Sequence, residues 1–300
     1  MKVSICITVL NEERSIKKLL ESLLGQTKKP DEIVIVDGGS TDNTTNIILK
    51  YFPEVKLIKR KNLSRSKGRN LAVKNAKYSI IAMTDADCIC DKHWLERILS
   101  PFEGSRVTDI SAGFYKMVVN TDFQKALAPF LGVTGEKFSK NFLPSTRSIA
   151  FRKSLWKKIG GFPEDENKNT SEDTIFNYKA VLNKAKIVRV KTAIVYWEVP
   201  GNLSSAIKKF FNYAMWDAKS GIWWHPVQKL KTHNIKVMTI FLRYILFIFF
   251  WPSFTFYLSW SIFKHRNFIN KWQQSLYTAI IQVVSDFSVM AGFIWGILNK

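Results

Sequence analysis

The side chains of this chain best suited to chemistry are two aspartates, Asp85 and Asp87, which a single alanine separates. They directly follow the apolar run 78–83, which has the length and composition of a buried strand. Two carboxylates at the end of a strand form a compact oxygen site, and such a site suits a hard divalent cation that carries a diphosphate. A loop without any metal is the alternative interpretation, because aspartates are also common in turns.

Three cations, Arg65, Lys67 and Arg69, lie within five residues just ahead of that strand. Their position favours the binding of a nucleotide diphosphate, because basic side chains form strong, charge-assisted hydrogen bonds with phosphate oxygens. The solvated start of a helix is the alternative interpretation of the same segment.

A second pair of carboxylates, Glu172 and Asp173, stands at the predicted start of a helix. Acidic side chains in a first helical turn often do no more than interact with the helix dipole. The functional interpretation is a general base, which takes a proton from the hydroxyl group of an acceptor.

The segment 37–42 joins a predicted strand to a predicted helix and contains two adjacent glycines. Glycine permits a tight turn and the close approach of a ligand to the backbone. The turn alone is a weak signal, because a purely structural turn has the same composition. Asp37 is more informative, since a carboxylate at a strand end accepts hydrogen bonds from a base or a ribose.

The pattern along the chain predicts a scaffold that brings these residues together. Predicted strands at 3–10, 32–36, 55–58 and 78–83 alternate with predicted helices at 11–24, 45–51 and 66–76. This alternation indicates a parallel sheet with helices on both faces. Ligands of such sheets bind beyond the carboxyl ends of the strands. The residues that fall at those ends are Thr8, Asp37, Asp85 and Asp87.

The charge of the chain indicates the class of its partners. The net charge is +21, and most of it lies ahead of residue 237. A basic body beside an apolar tail predicts attraction to anionic lipid headgroups or to phosphorylated substrates. No helix-turn-helix, zinc or aromatic RNA-binding signature is present, so nucleic acid is not an expected partner. Three cysteines without a disulfide framework fit a reducing compartment.

The tail contains two long apolar segments. Residues 237–263 carry one charge and a central Pro252, and residues 276–298 carry one aspartate. Each segment is long enough to span a bilayer, and an oligomer-forming or interfacial hairpin is the alternative. Two spans would place the basic loop 264–271 opposite the basic body, against the positive-inside tendency. A break at Pro252, which makes the first segment a re-entrant pair, would keep that loop inside.

Taken together, these segments resemble the family-2 glycosyltransferases over roughly residues 2–200. The segments that carry the resemblance, in the order of the family, are 3–11, 36–42, 68–70, 84–87, 159–162 and 172–173. The resemblance implies an α/β fold of the GT-A type, a Rossmann-like nucleotide-binding domain with a mixed sheet, followed by C-terminal membrane helices. The implied domains are a nucleotide-sugar half at 1–105, an acceptor half at 106–230 and membrane helices at 237–300.

The resemblance also implies a role for individual residues. The donor nucleotide would be bound by Thr8, Asn11, Glu12, Asp37, Arg69, Asp85 and Ala86. Asp87 would hold Mn²⁺ or Mg²⁺ on the diphosphate. The catalytic residues would be Asp173, as the base, and Glu172. The acceptor side would include Gly160, Gly161 and Trp216, although a core or interfacial position is an equal expectation for Trp216.

The implied reaction is the inverting transfer of a single sugar from a UDP- or GDP-sugar to a lipid-linked acceptor, either polyprenyl phosphate or a lipid-carried glycan. A polysaccharide or protein-linked glycan is the alternative acceptor. A metal-dependent nucleotidyltransferase and a non-catalytic membrane partner are the competing functional classes. The expected location is the cell membrane, with the catalytic domain on the cytoplasmic side.

Two departures from the family pattern qualify these expectations. The family often has two aspartates where this chain has Asp37 followed by Gly38, so one nucleotide contact is absent. Processive synthases carry Gln-x-x-Arg-Trp after the base, and the segment 212–216 keeps only the tryptophan. The pattern therefore favours a single transfer over processive synthesis.

Overall fold

The computed structural model describes residues 1–104, 107–133, 135, 138–139, 141–164, 171–224 and 236–299. The chain divides into two compact units. The first unit is Met1–Lys116 with Gly135–Trp197, and the second unit is Met117–Thr134 with Glu198–Lys300. The domain boundaries expected from the sequence stay a prediction.

The first unit is built on one sheet of eight strands. The strands are β1 Val3–Val9, β2 Glu32–Asp37, β3 Lys56–Lys59, β4 Ile80–Met83, β5 Cys88–Cys90, β6 Ile110–Val118, β7 Ile149–Arg152 and β8 Ile187–Glu198. They lie in the order β3-β2-β1-β4-β7-β6-β8-β5. The first four strands pair in parallel, and the pairs β4–β7, β6–β7 and β5–β8 are antiparallel. The sheet is therefore mixed, as expected.

The helices alternate with the strands in the first half of the chain and dominate its end. They are α1 Ile16–Leu24, α2 Thr44–Tyr51, α3 Arg65–Asn75, α4 Trp94–Leu99, α5 Asp122–Leu131, α6 Lys153–Lys158, α7 Glu172–Leu182, α8 Leu203–Ser220, α9 Lys236–Phe249, α10 Pro252–Lys264 and α11 Trp272–Leu298.

The first helix begins five residues later than the sequence predicts. Asn11 adopts a positive φ of 58°, which is incompatible with a right-handed helix. Its side-chain oxygen accepts a hydrogen bond from the Thr41 N–H at 2.8 Å, which holds residue 11 in a loop. The helix proper starts at Ile16 and buries its apolar face through Leu23 against the sheet.

Three phenylalanines fix the start of α7 against the rest of the first unit. Phe151 on β7, Phe162 and Phe176 on α7 are fully buried. The rings of Phe162 and Phe176 stack with centroids 4.5 Å apart, and Phe151 lies 5.1 Å from Phe176. Each buried ring contributes roughly 1.5–3 kcal/mol of stability. This packing anchors the helix that opens with the second carboxylate pair.

The apolar tail forms helices of unequal length in the second unit. Pro252 is the first residue of α10, where its missing N–H costs nothing, and it separates α10 from α9. The segment 237–263 therefore forms two helices, α9 and α10, which agrees with the predicted alternative of a break at Pro252, and the membrane topology stays a prediction. Within the described residues, only α11 is long and apolar enough to cross a membrane by length and composition, and half of its most apolar window is buried.

Close helix packing holds α11 to α8. A side chain at Gly292 or Gly296 would collide with the backbone oxygens of Phe211 or Met215 on α8. Small residues four positions apart allow two helix backbones to approach closely. These two glycines therefore set the contact between the longest apolar helix and α8.

A buried aspartate connects the last three helices. Asp286 on α11 is 3% exposed. It accepts hydrogen bonds from Tyr257 of α10 at 2.7 Å, from Tyr244 of α9 at 3.3 Å and from Gln282 at 3.1 Å. The carboxylate is thus the common acceptor of three elements.

Candidate functional site

The strand register brings the predicted residues to one edge of the sheet. Thr8 pairs with Val36, one residue ahead of Asp37, which ends β2. Asp85 follows β4, the other neighbour of β1. The carboxyl ends of these parallel strands coincide, so the sheet itself gathers side chains that lie far apart in the chain.

Asp37 organises the turn that follows it. Its buried carboxylate accepts hydrogen bonds from the N–H groups of Gly39 and Ser40, each at 3.2 Å, and from the Ser40 hydroxyl. Gly39 has a φ of +107°, a conformation that L side chains rarely adopt. The second glycine of the segment is therefore required by the turn.

Asn11 and Glu12 connect the end of β1 to the same turn. The Asn11 N–H donates to the Ser40 hydroxyl at 2.9 Å, and the Glu12 N–H donates to Thr44 Oγ1 at 2.7 Å. Burial, together with the negative charges of Asp87 and Asp85, raises the pKa of Glu12. The charges of the aspartate pair therefore act on Glu12, and the loop after β1 belongs to the same negatively charged region.

Arg69 of α3 is the centre of the site. It is buried, and its guanidinium donates to Asp85 Oδ1 at 2.8 Å and to Glu172 Oε1. Burial alone would lower the pKa of Arg69, but the charges of Glu172 and Asp85 raise it. The guanidinium is therefore always charged. Despite the burial of Asp85, Arg69 holds the pKa of that carboxyl below its ordinary value.

The neighbouring carboxylates Glu172 and Asp173 have different environments. Glu172 is 2% exposed and is held by Arg69, whereas Asp173 is half-buried. The Asp173 carboxylate accepts a hydrogen bond from the N–H of Thr174 at 2.7 Å. Of the pair, Asp173 is the one with an accessible carboxylate, and Glu172 is bound inside the protein.

Asp87 has a partner that sequence reasoning missed. Its Oδ2 accepts a hydrogen bond from the indole N–H of Trp197 at 2.9 Å. Trp197 is buried on β8, where the strand register pairs it with Cys88. No local signal marks Trp197, because an indole within an apolar strand is typical of core packing. Only the pairing of β5 with β8 brings it to the aspartate.

Arg147 is a second residue that sequence reasoning missed. Its guanidinium lies 4.4 Å from the centre of the Trp197 ring and 5.1 Å from that of Tyr115. After Arg69, the charge of Arg147 contributes most to the lowered pKa of Asp85. A cation held between two aromatic rings thus lies near both aspartates.

The predicted acceptor residues lie in different units. Gly160 and Gly161 form a turn of the first unit, with φ values of +73° and +64°. Asn70 of α3 fixes this turn, because its Oδ1 accepts from the Phe162 N–H and its Nδ2 donates to the Phe162 oxygen, both at 2.9 Å. Trp216 lies on α8 of the second unit, half-buried, with the Lys219 ammonium 5.3 Å from its ring centre.

The side chains around Asp87 would hold a divalent ion such as Mg²⁺ only together with oxygen atoms of a bound ligand. In the part of the chain that the structure describes, no three His, Cys, Asp or Glu side chains are arranged to hold a metal. Mg²⁺ usually binds to one or two carboxylates together with substrate phosphates. Asp87 is exposed and lies close to Asp85 in the chain, so a metal brought by a diphosphate suits these residues.

Comparison with known proteins identifies the family. The model of glycosyl transferase family 2 matches residues 4–160. An uncharacterized glycosyltransferase of Nostoc sp. is 29% identical over 67% of this chain and 66% of its own length. The cholesterol galactosyltransferase of Borreliella burgdorferi is 26% identical over 53% of this chain and 47% of its own length. The chain thus spans less than two thirds of the length of these relatives.

Solved structures show the same fold. TarS 1–349 of S. aureus, in complex with UDP-GlcNAc, has a TM-score of 0.55 and 25% identity, covering 72% of this chain and 66% of that one. The mannosyltransferase PcManGT of Pyrobaculum calidifontis, in complex with GDP-Man and Mn²⁺, has a TM-score of 0.67 and 16% identity, covering 100% and 88%. The GT-A fold expected from the sequence is confirmed, and this chain belongs to glycosyl transferase family 2.

Proposed function

We propose that this protein is an inverting glycosyltransferase that moves one sugar from a UDP- or GDP-sugar to a lipid-linked acceptor. The observation that carries the proposal is the buried Arg69, which joins Asp85 to Glu172 at the edge of the sheet and leaves Asp173 accessible. Membership of the family supports the reaction class. The UDP-GlcNAc complex of TarS supports a nucleotide-sugar as the donor.

In this proposal the edge of the sheet binds the donor. Thr8, Asp37 and the loop through Glu12 surround the nucleotide, and Asp85, oriented by Arg69, faces the ribose or sugar. Glu172 contributes by holding Arg69 rather than by touching the substrate. A fixed network of charges needs no rearrangement during the reaction, which is the main source of electrostatic catalysis.

Asp87 would hold Mn²⁺ or Mg²⁺ on the diphosphate. A divalent ion at this place supplies positive charge to the departing nucleoside diphosphate. The Trp197 N–H occupies one carboxylate oxygen of Asp87 and so limits its rotation. Trp197 is therefore assigned as a residue that positions Asp87.

Asp173 would act as the general base. With a lipid-carried glycan as acceptor, it takes the proton of the acceptor hydroxyl as that oxygen attacks the anomeric carbon of the sugar, and the bond to the diphosphate breaks on the opposite face. An oxygen of polyprenyl phosphate is already ionised near neutral pH and needs no such base. One displacement without a protein nucleophile inverts the configuration at that carbon. The partial exposure of Asp173 supports this role, because a base must reach the acceptor.

A lipid-linked acceptor fits the composition of the chain. The apolar α11 and the basic body suit a substrate that is carried on a membrane with an anionic surface. A relative named for the transfer of galactose to cholesterol supports a lipid as the acceptor. We place the protein at the cell membrane with its catalytic unit on the cytoplasmic side.

The test is a donor screen on the full chain in detergent. The protein is incubated with Mn²⁺ and a panel of UDP-, GDP- and dTDP-sugars, with and without polyprenyl phosphate or a polyprenyl-linked sugar, and released nucleotide is measured. We expect release from one donor, stimulated by the lipid. With the polyprenyl-linked sugar as acceptor, Asp173→Asn should lower the rate by roughly 10²–10⁴-fold while donor binding stays intact, because a general base contributes about that much.

The matched control for the base is Glu54→Gln, which removes one exposed carboxylate outside the site. It should retain the full rate. Full activity of Asp173→Asn would overturn the assignment of the base. The absence of nucleotide release with every donor and acceptor, although calorimetry shows donor binding, would overturn the proposed acceptor class.

A further inference from the structure

A concave site lies on the first unit, on a different face of α3 from the one that carries Arg69. It is a cleft of about 580 Å³ between α3 and the turn that follows α6. Lys67 and Lys74 line the cleft from α3, and Trp156 and Lys157 line it from α6. Positions 67 and 74 are two helical turns apart and share one face, whereas Arg69 faces Asp85 and Glu172.

The charge of this cleft is positive and largely uncompensated. Four cations line it, namely Arg60, Lys67, Lys74 and Lys157. Within the described ranges, none of the four lies within 4 Å of a carboxylate oxygen. Glu164 also lines the cleft and accepts a hydrogen bond from Asn70 at 2.9 Å, so the described lining carries four positive charges and one negative charge. Converging cations in a concave surface attract an anion more strongly than isolated surface charges.

The cleft also has apolar lining residues, and one of them is fixed in orientation. The indole N–H of Trp156 donates to Asn70 Oδ1 at 2.9 Å, which sets the orientation of a half-buried ring. Leu63 and Leu71 contribute apolar surface from the α3 side. An indole in a fixed orientation offers a flat face to a sugar ring or to the carbon chain next to a charged group.

We propose that this cleft binds a phosphate ester, with the phosphate held by the four cations and the organic part resting on Trp156. A phosphate group accepts several charge-assisted hydrogen bonds at once, which suits flexible lysines around a concave surface. The cleft does not contain Arg69, Asp85 or Glu172, although Gly160 and Gly161, which the sequence assigns to the acceptor side, also line it. Asn70 contacts both Trp156 and the turn at Phe162. The ester is either a phospholipid headgroup or a soluble sugar phosphate.

The experiment measures the protection of individual lysines from amine acylation by mass spectrometry, on the full chain in neutral detergent. The probes are dioctanoyl phosphatidic acid, glucose 1-phosphate and inorganic phosphate, each at the same concentration. We expect acylation of Lys67, Lys74 and Lys157 to slow at least threefold with an ester. The exposed Lys18, Lys92 and Lys116 of the same unit serve as internal controls and should keep their rates.

The identity of the protecting probe distinguishes the two sources. Protection by phosphatidic acid alone assigns a lipid headgroup, and protection by glucose 1-phosphate assigns a soluble ester. Equal protection by inorganic phosphate would overturn the role of Trp156. Equal protection of the control lysines, or no protection by any probe, would overturn the site itself.

A variant pair tests the same site through affinity. The Lys74→Ala/Lys157→Ala protein should bind the protecting ester at least fivefold more weakly, whereas Lys18→Ala/Lys92→Ala, with the same change in charge, should bind it normally. Equal affinity of the two proteins would overturn the proposal. Neither readout needs sugar transfer, so the failure of this site and the failure of the proposed function are distinguishable.

Discussion

Both units of the protein bury carboxylates, and Glu172 of the first unit is stabilised differently from Asp286 of the second. Glu172 of the first unit is held by a cation, Arg69. Asp286 of the second unit is held by the neutral donors of Tyr257, Tyr244 and Gln282. A buried charge needs either an opposite charge or several hydrogen bonds. The first solution produces a fixed electrostatic field, and the second joins three helices.

Of the variants that test this comparison, Arg69→Met should lose the most stability. It leaves Glu172 buried without its cation, which costs about 3–5 kcal/mol of unfolding free energy. Chemical unfolding of the full chain in detergent, followed by tryptophan fluorescence, measures the loss. Donor binding should weaken as well, because Asp85 loses its hydrogen bond from Arg69.

The control for that variant is Arg65→Met. Arg65 lies 3.8 Å from the same Glu172 oxygen, but its side chain is 54% exposed. Exposed ion pairs contribute less than about 1 kcal/mol. A similar loss of stability in both variants would show that burial is not what makes the Arg69 pair important.

The replacement Asp286→Ala tests the hydrogen bonds from uncharged donors that stabilise the buried carboxylate of the second unit. It removes the common acceptor and leaves the donors of Tyr257 and Gln282 unpaired in a buried position. The expected loss is about 1–3 kcal/mol, since unsatisfied buried donors cost that much. The same unfolding measurement applies, with Asp286→Asn, which keeps an acceptor oxygen, expected to lose less. An unchanged stability of the alanine variant would contradict the role of the network.

The replacement Trp197→Phe sharpens the assignment within the first unit. Phenylalanine keeps an aromatic face for Arg147 but removes the hydrogen bond to Asp87. The Mn²⁺ concentration that gives half-maximal nucleotide release should rise roughly threefold to tenfold, as expected for the loss of about 1 kcal/mol.

Trp94→Phe is the matched control for this change. Trp94 is also buried, and its indole donates to Ser148 rather than to a site carboxylate. The Mn²⁺ concentration that gives half-maximal nucleotide release should be unchanged in Trp94→Phe. An equal shift in both variants would mean that the loss of packing, and not of the hydrogen bond, alters the site.

The smallest expected effect is on how the stability of the protein depends on acidic pH. The pKa of Asp85 is lowered in the folded protein, so its contribution to stability is complete above the ordinary aspartate value of about 3.9. The contribution is lost as the pH falls through the lower folded value, because the unfolded chain then binds more protons. Below about pH 4, the free energy of unfolding should therefore change less with pH for Asp85→Asn than for the natural chain. Parallel pH curves would contradict the assignment.

Sequence patterns predicted the local elements of the catalytic unit well. The alternation of apolar strands and helices placed Thr8, Asp37 and Asp85 at strand ends, because a strand of buried residues is recognisable from its own composition. The break at Pro252 was among the predicted alternatives, because proline cannot continue a helix. The predicted start of α1 was wrong, because it depends on the contact of Asn11 with Thr41, thirty residues away.

The sequence by itself determined the family, the carboxylates that lie at the ends of strands and the apolar character of the tail. These features depend on residue type and local spacing. Only the tertiary structure decided which charges meet. Arg69 contacts Glu172 across 103 residues of chain, and Trp197 reaches Asp87 across 110. Those contacts depend on strand register and on which face each helix turns inward. Both are set by the packing of the whole core, which no local pattern contains.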